Sequence, residues 1–179
     1  MNKTKNRFLT IPNLLSVLRL AMIPLLVWLY LEKESYLWTA AVLILSGATD
    51  VLDGIIARKW NMVSDLGKAL DPIADKLTQA TMLFCLGITH PEIRFLLLIM
   101  VLKEGVGAVM SLWAIRKTGQ VQGAQWHGKV TTVLLYLLIL DKILPGAISA
   151  LLTLVCGGSM VLSAVLYARQ HLQQIRGKE

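Results

Sequence analysis

Residues 49–76 read TDVLDGIIARKWNMVSDLGKALDPIADK, and this stretch decides the fold that the sequence predicts. Apolar residues run on both sides of a short polar connection, which predicts two helices joined as an antiparallel hairpin. Four carboxylates interrupt the apolar parts, where an ionised carboxylate is costly unless it is paired, hydrated or bound to a cation. They are Asp50, Asp53, Asp71 and Asp75. The hairpin is therefore predicted to carry a charged site.

Further apolar segments continue this pattern along the chain. Of the 179 residues, 55% are hydrophobic and only 16% are charged, which excludes an ordinary soluble domain. The apolar segments are residues 10–31, 37–59, 66–88, 92–116, 128–144 and 147–168. Their lengths of roughly 20 residues suit helices that cross a bilayer. We therefore predict an all-α integral membrane protein with six transmembrane helices.

The basic residues predict the orientation. Of the 18 Lys and Arg residues, twelve fall on one side of the predicted membrane, and three fall on the other, namely Lys33, Arg94 and Lys142. The remaining three lie inside the predicted spans: Arg19, Lys76 and Lys103. Because Lys and Arg accumulate on the cytoplasmic side, both termini and the ends of the hairpin that carry the acids should face the cytoplasm. The prediction is a multi-pass protein of the cell's inner, cytoplasmic membrane.

The spacing of the four acids indicates what they hold. Asp50 and Asp53 are three residues apart and Asp71 and Asp75 are four apart, so each pair projects from one helix face. Convergent carboxylates suit hard cations, and pairs of such ions are common in phosphoryl chemistry. We expect Mg²⁺ or Mn²⁺, in two copies. The alternatives are ion pairs with Arg58, Lys68 and Lys76, or an ion or proton relay in a transporter.

Small residues beside the acids carry two interpretations. Gly54 and Gly67 each cost a helix about 0.5–1 kcal/mol relative to Ala. They predict either close approach of a ligand to the backbone or close packing of helices. Ala57 extends the same small surface, and Arg58 offers a planar charged fork that suits a diphosphate.

The quoted residues resemble the signature of the CDP-alcohol phosphatidyltransferase family, D-x-x-D-G-x-x-A-R-x₈-G-x₃-D-x₃-D. All eight fixed positions are filled, by Asp50, Asp53, Gly54, Ala57, Arg58, Gly67, Asp71 and Asp75. The opening from Ile11 to Ser16, with Arg19, is similar to the branch that contains phosphatidylglycerophosphate and cardiolipin synthases. The resemblance implies one membrane domain over residues 1–179, with CDP and metal bound by about 10–90 and the acceptor by about 91–168.

The resemblance also implies an activity and residue roles. The family moves a phosphatidyl group from CDP-diacylglycerol to an alcohol and releases CMP. Asp50, Asp53, Asp71 and Asp75 would bind the metal, and Asp75 would also be the general base. The remaining implied residues would hold the CDP part of the lipid: Asn13, Ser16, Gly54, Ala57, Arg58, Ser64 and Gly67. The partners would be these substrates, membrane lipids and a second copy in a homodimer, with no nucleic acid.

The acceptor site is less well marked in the second half. Phosphatidylglycerophosphate synthases usually carry an Arg-Glu pair, a second Arg and a Gly-Lys-x-Lys-Thr element there. This chain has Lys103-Glu104, Ser111 and Gly128-Lys129-Val130-Thr131-Thr132. Arg19, Lys103 and Lys129 are the bases predicted to meet a phosphorylated acceptor. Glycerol 3-phosphate is the first expectation, and phosphatidylglycerol, the acceptor for cardiolipin synthesis, is the alternative.

Overall fold

The computed structural model describes residues 10–60, 65–118, 126–144 and 149–176, and these ranges are helical apart from short turns. The described helices number six, as the sequence predicts, and these ranges contain no strand. Their bounds are α1 Ile11–Val27, α2 Tyr36–Lys59, α3 Asp65–Thr89, α4 Ile93–Thr118, α5 Trp126–Ile143 and α6 Ser149–Arg176. The predicted all-α class is confirmed for this part of the chain.

The first helix begins and ends with recognisable local chemistry. The Thr10 side chain accepts a hydrogen bond from the backbone N–H of Asn13 at 3.3 Å, which caps the start of α1. At the other end the helix widens into a π-helical turn, Trp28–Glu32. The Lys33 ammonium lies 5.1 Å from the centre of the Trp28 ring, within range of a cation–π contact. Glu34 then takes φ 48° and lets the chain reverse into α2.

The chain divides into two compact units, residues 1–85 and residues 86–179. In the first unit α1 packs along α2. Its buried apolar side chains include Leu26, Leu43, Met82 and Leu83, each at most 1% exposed. Polar side chains are buried in the same unit, and that mixture is what positions the site described below.

In the second unit α6 packs against both α4 and α5. Gly157 of α6 allows close contact with α4, because a Cβ there would lie 3.1 Å from Leu96 Cδ2. The Thr131 hydroxyl of α5 donates to the Ser159 carbonyl of α6 at 3.3 Å. Lys142, near the end of α5, donates to Glu92 Oε1 at 2.8 Å, just before α4 begins.

Apolar side chains cover much of the outside of both units. Leu14, Leu37 and Leu154 are 63%, 72% and 75% exposed, which suits contact with lipid and not with water. Within the described ranges, three helical stretches are long and apolar enough to cross a membrane: Ile11–Glu32, Tyr36–Ile56 and Ala150–Gln170. The chain is therefore a helical membrane protein, and the count of six spans and the side of each terminus stay predictions.

Candidate active site

Polar residues line one face of an otherwise apolar α1. Asn13, Ser16 and Arg19 recur every three residues, and all three are at most 3% exposed. Residues at this spacing share a helix face, and burial here requires partners for each polar group. For Ser16 and Arg19 the partners come from the acidic segments of α2 and α3.

Arg19 joins the two acids of α2. Its Nη1 donates to Asp50 Oδ1 and its Nη2 donates to Asp53 Oδ2, both at 2.6 Å. The Arg19 and Asp53 side chains are 1% and 3% exposed, whereas that of Asp50 is 45% exposed. The guanidinium therefore bridges one buried and one half-exposed carboxylate. Its Nε is also buried, with no hydrogen-bond partner among the described residues.

Asp71 of α3 lies beside this pair. Its Oδ1 forms a short contact with the Ser16 hydroxyl, one turn before Arg19 on the same face of α1. The Ser16 hydroxyl also lies 3.1 Å from the Pro12 carbonyl. The negative charge of Asp71 acts on Asp53 together with that of Asp50. Three of the four predicted acids are thus neighbours, drawn together by one face of α1.

Asp75 lies one turn further along α3. Its Oδ1 accepts a hydrogen bond from Gln79 Nε2 at 2.9 Å, and Lys76 Nζ lies 3.9 Å from its other oxygen. Gln79 is 1% exposed, so this bond is made in a protected place. The neutral amide of Gln79 does not cancel the negative charge of this carboxylate.

The acids fit the predicted metal in chemistry. They offer carboxylate oxygens, the donors that Mg²⁺ and Mn²⁺ prefer. Among the described side chains, Arg19 and Lys76 are the cations that lie near these acids. In that same part of the chain, however, no three Asp, Glu, His or Cys side chains are grouped closely enough to hold a metal ion. Arg19, Ser16 and Gln79 hold the four carboxylates, and the metal site stays a prediction.

A family model described as CDP-alcohol phosphatidyltransferase matches residues 9–169. That range includes the polar face of α1, both acidic segments and most of α6. The chain belongs to this family. The resemblance predicted from the acid motif is confirmed.

Relatives of this phosphatidyltransferase family member carry two kinds of name. A Streptomyces coelicolor protein named cardiolipin synthase (CMP-forming) is 46% identical over 112 residues, which is 59% of this chain and 51% of that protein. The Aquifex aeolicus protein named CDP-diacylglycerol--glycerol-3-phosphate 3-phosphatidyltransferase is 44% identical over 69 residues, 38% of each chain. A rice protein is named CDP-diacylglycerol--glycerol-3-phosphate 3-phosphatidyltransferase 1, chloroplastic. It is 47% identical over 73 residues, which is 41% of this chain and 22% of the rice protein. The matches thus span about half, or less, of these relatives' lengths.

The predicted CDP-binding residues of this family member are placed unevenly. Asn13 and Ser16 are buried on the face of α1 that carries Arg19. Gly54 is half-buried in α2, one residue after Asp53, and Gly67 is buried in the first turn of α3. Three further predicted residues are described in part or not at all. Ser64 lies outside the described residues, and for Ala57 and Arg58 the structure describes only the helical backbone.

The three bases predicted for the acceptor belong to different units of the chain. Arg19 belongs to the first unit, where both of its terminal nitrogens are bound by acids. Lys103 lies in the second unit, with its ammonium 2.7 Å from Glu104 Oε1 and its side chain 11% exposed. Lys129 is exposed near the start of α5. The pairing of Lys103 with Glu104 reduces the positive charge that it offers to a phosphate.

Two contacts of the site escaped prediction from the sequence. The alternative of ion pairing named Arg58, Lys68 and Lys76 as partners of the acids and did not name Arg19, which binds Asp50 and Asp53. Lys76 does lie 3.9 Å from Asp75, and the side chains of Arg58 and Lys68 lie outside the described ones. The three-residue period of Asn13, Ser16 and Arg19 in an apolar helix was the available signal for a shared polar face. Gln79, the partner of Asp75, was signalled by its four-residue spacing on the same helix.

Proposed function

We propose that this protein transfers a phosphatidyl group from CDP-diacylglycerol to an alcohol acceptor and releases CMP. The observation that carries the proposal is the family match over residues 9–169, which contains the complete acid motif. The arrangement of acids supports it, because a site for a diphosphate needs charge, and an apolar helical pair would carry four carboxylates only for a purpose.

The reaction can be assigned to residues of this chain. The acceptor hydroxyl oxygen attacks the lipid-side phosphorus of the diphosphate, a new P–O bond forms, and the bond from that phosphorus to the CMP oxygen breaks. The hydroxyl proton passes to the Asp75 carboxylate, and the electron pair of the broken bond leaves with CMP. Gln79 holds one oxygen of Asp75, and the other oxygen, 3.9 Å from Lys76 Nζ, would take the proton.

The other three acids serve the diphosphate. Asp50, Asp53 and Asp71, with Asp75, would hold Mg²⁺ or Mn²⁺ as two ions. Bound there, the ions offset the charge on the diphosphate and make CMP a better leaving group. Gly54 and Gly67, which lack side chains, let the nucleotide approach the backbone, and Arg58 provides a charged fork for a phosphate.

The membrane arrangement follows from the same chemistry. CDP-diacylglycerol has a soluble nucleotide and two acyl chains, so its diphosphate has to meet the protein at a membrane surface. We propose six spans, both termini in the cytoplasm, and a cytoplasm-facing site in the inner membrane. A homodimer is part of the proposal through the family resemblance.

Two acceptors are candidates. Glycerol 3-phosphate is the one that the sequence places first, and it carries a doubly charged phosphate near pH 7 that needs several bases. Phosphatidylglycerol carries one negative charge and needs fewer. It is favoured by a specific observation: the 46% identity over 112 residues to the Streptomyces coelicolor protein named cardiolipin synthase. Both acceptors offer a glycerol hydroxyl, so the same general base serves either.

An acceptor panel tests the proposal. Purified protein receives CDP-diacylglycerol and Mn²⁺ with glycerol 3-phosphate, phosphatidylglycerol, serine or inositol phosphate, and CMP release is measured. We expect release with one of the first two. The matched control is Asp75→Asn, which keeps the shape of the side chain and should abolish release while the protein still inserts and folds. Normal turnover by that variant contradicts the base assignment, and release only with serine contradicts the acceptor class.

A further inference from the structure

Arg19 lies in a position that the proposed reaction does not explain. It was predicted to bind the acceptor, yet each of its terminal nitrogens is 2.6 Å from a carboxylate oxygen of the predicted metal site. A guanidinium held in this way offers little to a second anion. Its role has to be sought in what it does to Asp50 and Asp53.

Burial makes the pairing necessary. Asp53 is 2% exposed, and a buried carboxylate without a counter-charge is strongly destabilising. Among the described residues, Arg19 is the cation in contact with it. Asp50 and Asp71 add further negative charge nearby. The guanidinium therefore neutralises negative charge that a metal ion at this site would otherwise neutralise.

The two cations compete for the same oxygens. Arg19 takes Oδ1 of Asp50 and Oδ2 of Asp53, and a divalent ion held by these two acids would also need their oxygens. A divalent ion placed among these acids also repels the guanidinium. Asp50 is the carboxylate released at least cost, because its side chain is 45% exposed and can be hydrated.

We propose that Arg19 is a positioning residue that serves as the internal counter-ion of the carboxylate site, bridging Asp50 and Asp53 when no divalent cation is bound and releasing Asp50 when one binds. The inference rests on the proposed function for the presence of that cation. In this proposal Arg19 neutralises the acids before the ion binds, and it does not bind the acceptor.

The test is a Mn²⁺ titration of the full chain in detergent, stripped with EDTA and without substrate. Thermal unfolding and the electron paramagnetic resonance signal of unbound Mn²⁺ are both followed. Arg19→Met removes the charge and keeps much of the side-chain length. Arg19→Lys keeps the charge but cannot form a two-pronged bridge. Asp71→Asn is the control for binding at this site and should remove most of the Mn²⁺-dependent stabilisation.

We expect Arg19→Met to lower the unfolding temperature of the Mn²⁺-free protein and to raise the affinity for Mn²⁺. Without Mn²⁺, Arg19→Met unfolds at a lower temperature than wild type, because two acids lose their counter-charge. Its half-saturating Mn²⁺ concentration falls by about tenfold, since one competing unit charge has gone. Arg19→Lys shows a smaller fall. If Arg19→Met folds only with Mn²⁺, its unfolding on chelation supports the proposal, and Arg19→Lys supplies the titration.

Unchanged or weaker Mn²⁺ binding in Arg19→Met and Arg19→Lys overturns the proposal. So does an equal loss of unfolding temperature with and without Mn²⁺, which indicates packing alone. A raised KM for the acceptor with an unchanged Mn²⁺ titration returns Arg19 to the acceptor pocket. Failure of the proposed function is distinguishable, because it appears as Arg19-dependent Mn²⁺ binding without any CMP release.

Discussion

Asp53→Ala should destabilise the metal-free protein far more than Asp50→Ala. Both acids bind Arg19 at 2.6 Å, so the two variants remove bonds of the same length to the same partner. They differ in burial, with side chains 3% and 45% exposed. This makes the pair an internal comparison of one interaction in two surroundings.

The magnitudes follow from that difference. Removing one partner of a buried ion pair costs about 3–5 kcal/mol, because the other charge stays buried. For Asp50 the solvent screens the pair, and the expected loss is about 1 kcal/mol or less. Asp53→Ala should therefore cost at least about 2 kcal/mol more than Asp50→Ala.

The assay is reversible unfolding in mixed micelles by titration with sodium dodecyl sulfate, with EDTA present so that no divalent ion contributes. Each substitution is repeated in an Arg19→Met background, where the buried partner is already gone and the gap between the two should shrink. Losses that agree within about 0.5 kcal/mol in the wild-type background would refute the reasoning, because burial would then not govern the strength of the pair.

Two further predictions concern the second unit. In Gly128→Ala the new Cβ would lie 2.8 Å from Tyr167 Oη, so we expect a loss of about 1–3 kcal/mol in unfolding free energy. Adding Tyr167→Phe should recover part of that loss, and a double-mutant cycle without favourable coupling contradicts the contact. The hydrogen bond from Lys142 lowers the pKa of Glu92, so the pair stabilises the fold above the usual pKa of about 4.3 and ceases to do so as pH falls through the lowered value. Lys142→Met should therefore reduce the unfolding temperature slightly at pH 7, since Glu92 is 50% exposed, and the difference from wild type should vanish toward pH 3; a difference independent of pH counts against the ion pair.

The helices could be predicted from the sequence because long, continuous apolar segments identify membrane helices. The predicted segment 66–88 matches α3, Asp65–Thr89, to within one residue at each end. α6 is the exception, since it continues to Arg176, eight residues past the predicted end. Its last turns are rich in Gln and Arg, which are good helix formers but not apolar, so hydropathy marks the end of the span and not of the helix.

The acids of the site could also be predicted, since carboxylates in apolar helices need a reason. The pairing of Asp50 with Arg19 could not, because the two residues are 31 positions apart in the chain and the sequence does not state which faces of two helices meet. Lys76, adjacent to Asp75, was the more obvious partner by sequence, and it lies 3.9 Å from that acid. Closeness in the sequence predicts local ion pairs such as Lys76 with Asp75. The packing of α1 against α2 brings together a distant pair, Arg19 and Asp50.

The packing of α6 against both α4 and α5 bears on the order in which the protein is assembled during synthesis. α1 and α2 are neighbours in sequence and can pair as soon as both have left the ribosome. α4 and α5 instead have to wait for Ser149–Arg176, the last of the six helices, before their α6-facing sides are covered. Until then, Leu96 lacks its contact with Gly157, and the Thr131 hydroxyl lacks its bond to the Ser159 carbonyl. Truncations before α6 should consequently be recognised by membrane proteases, whereas α1 and α2 should already be paired when synthesis is interrupted there.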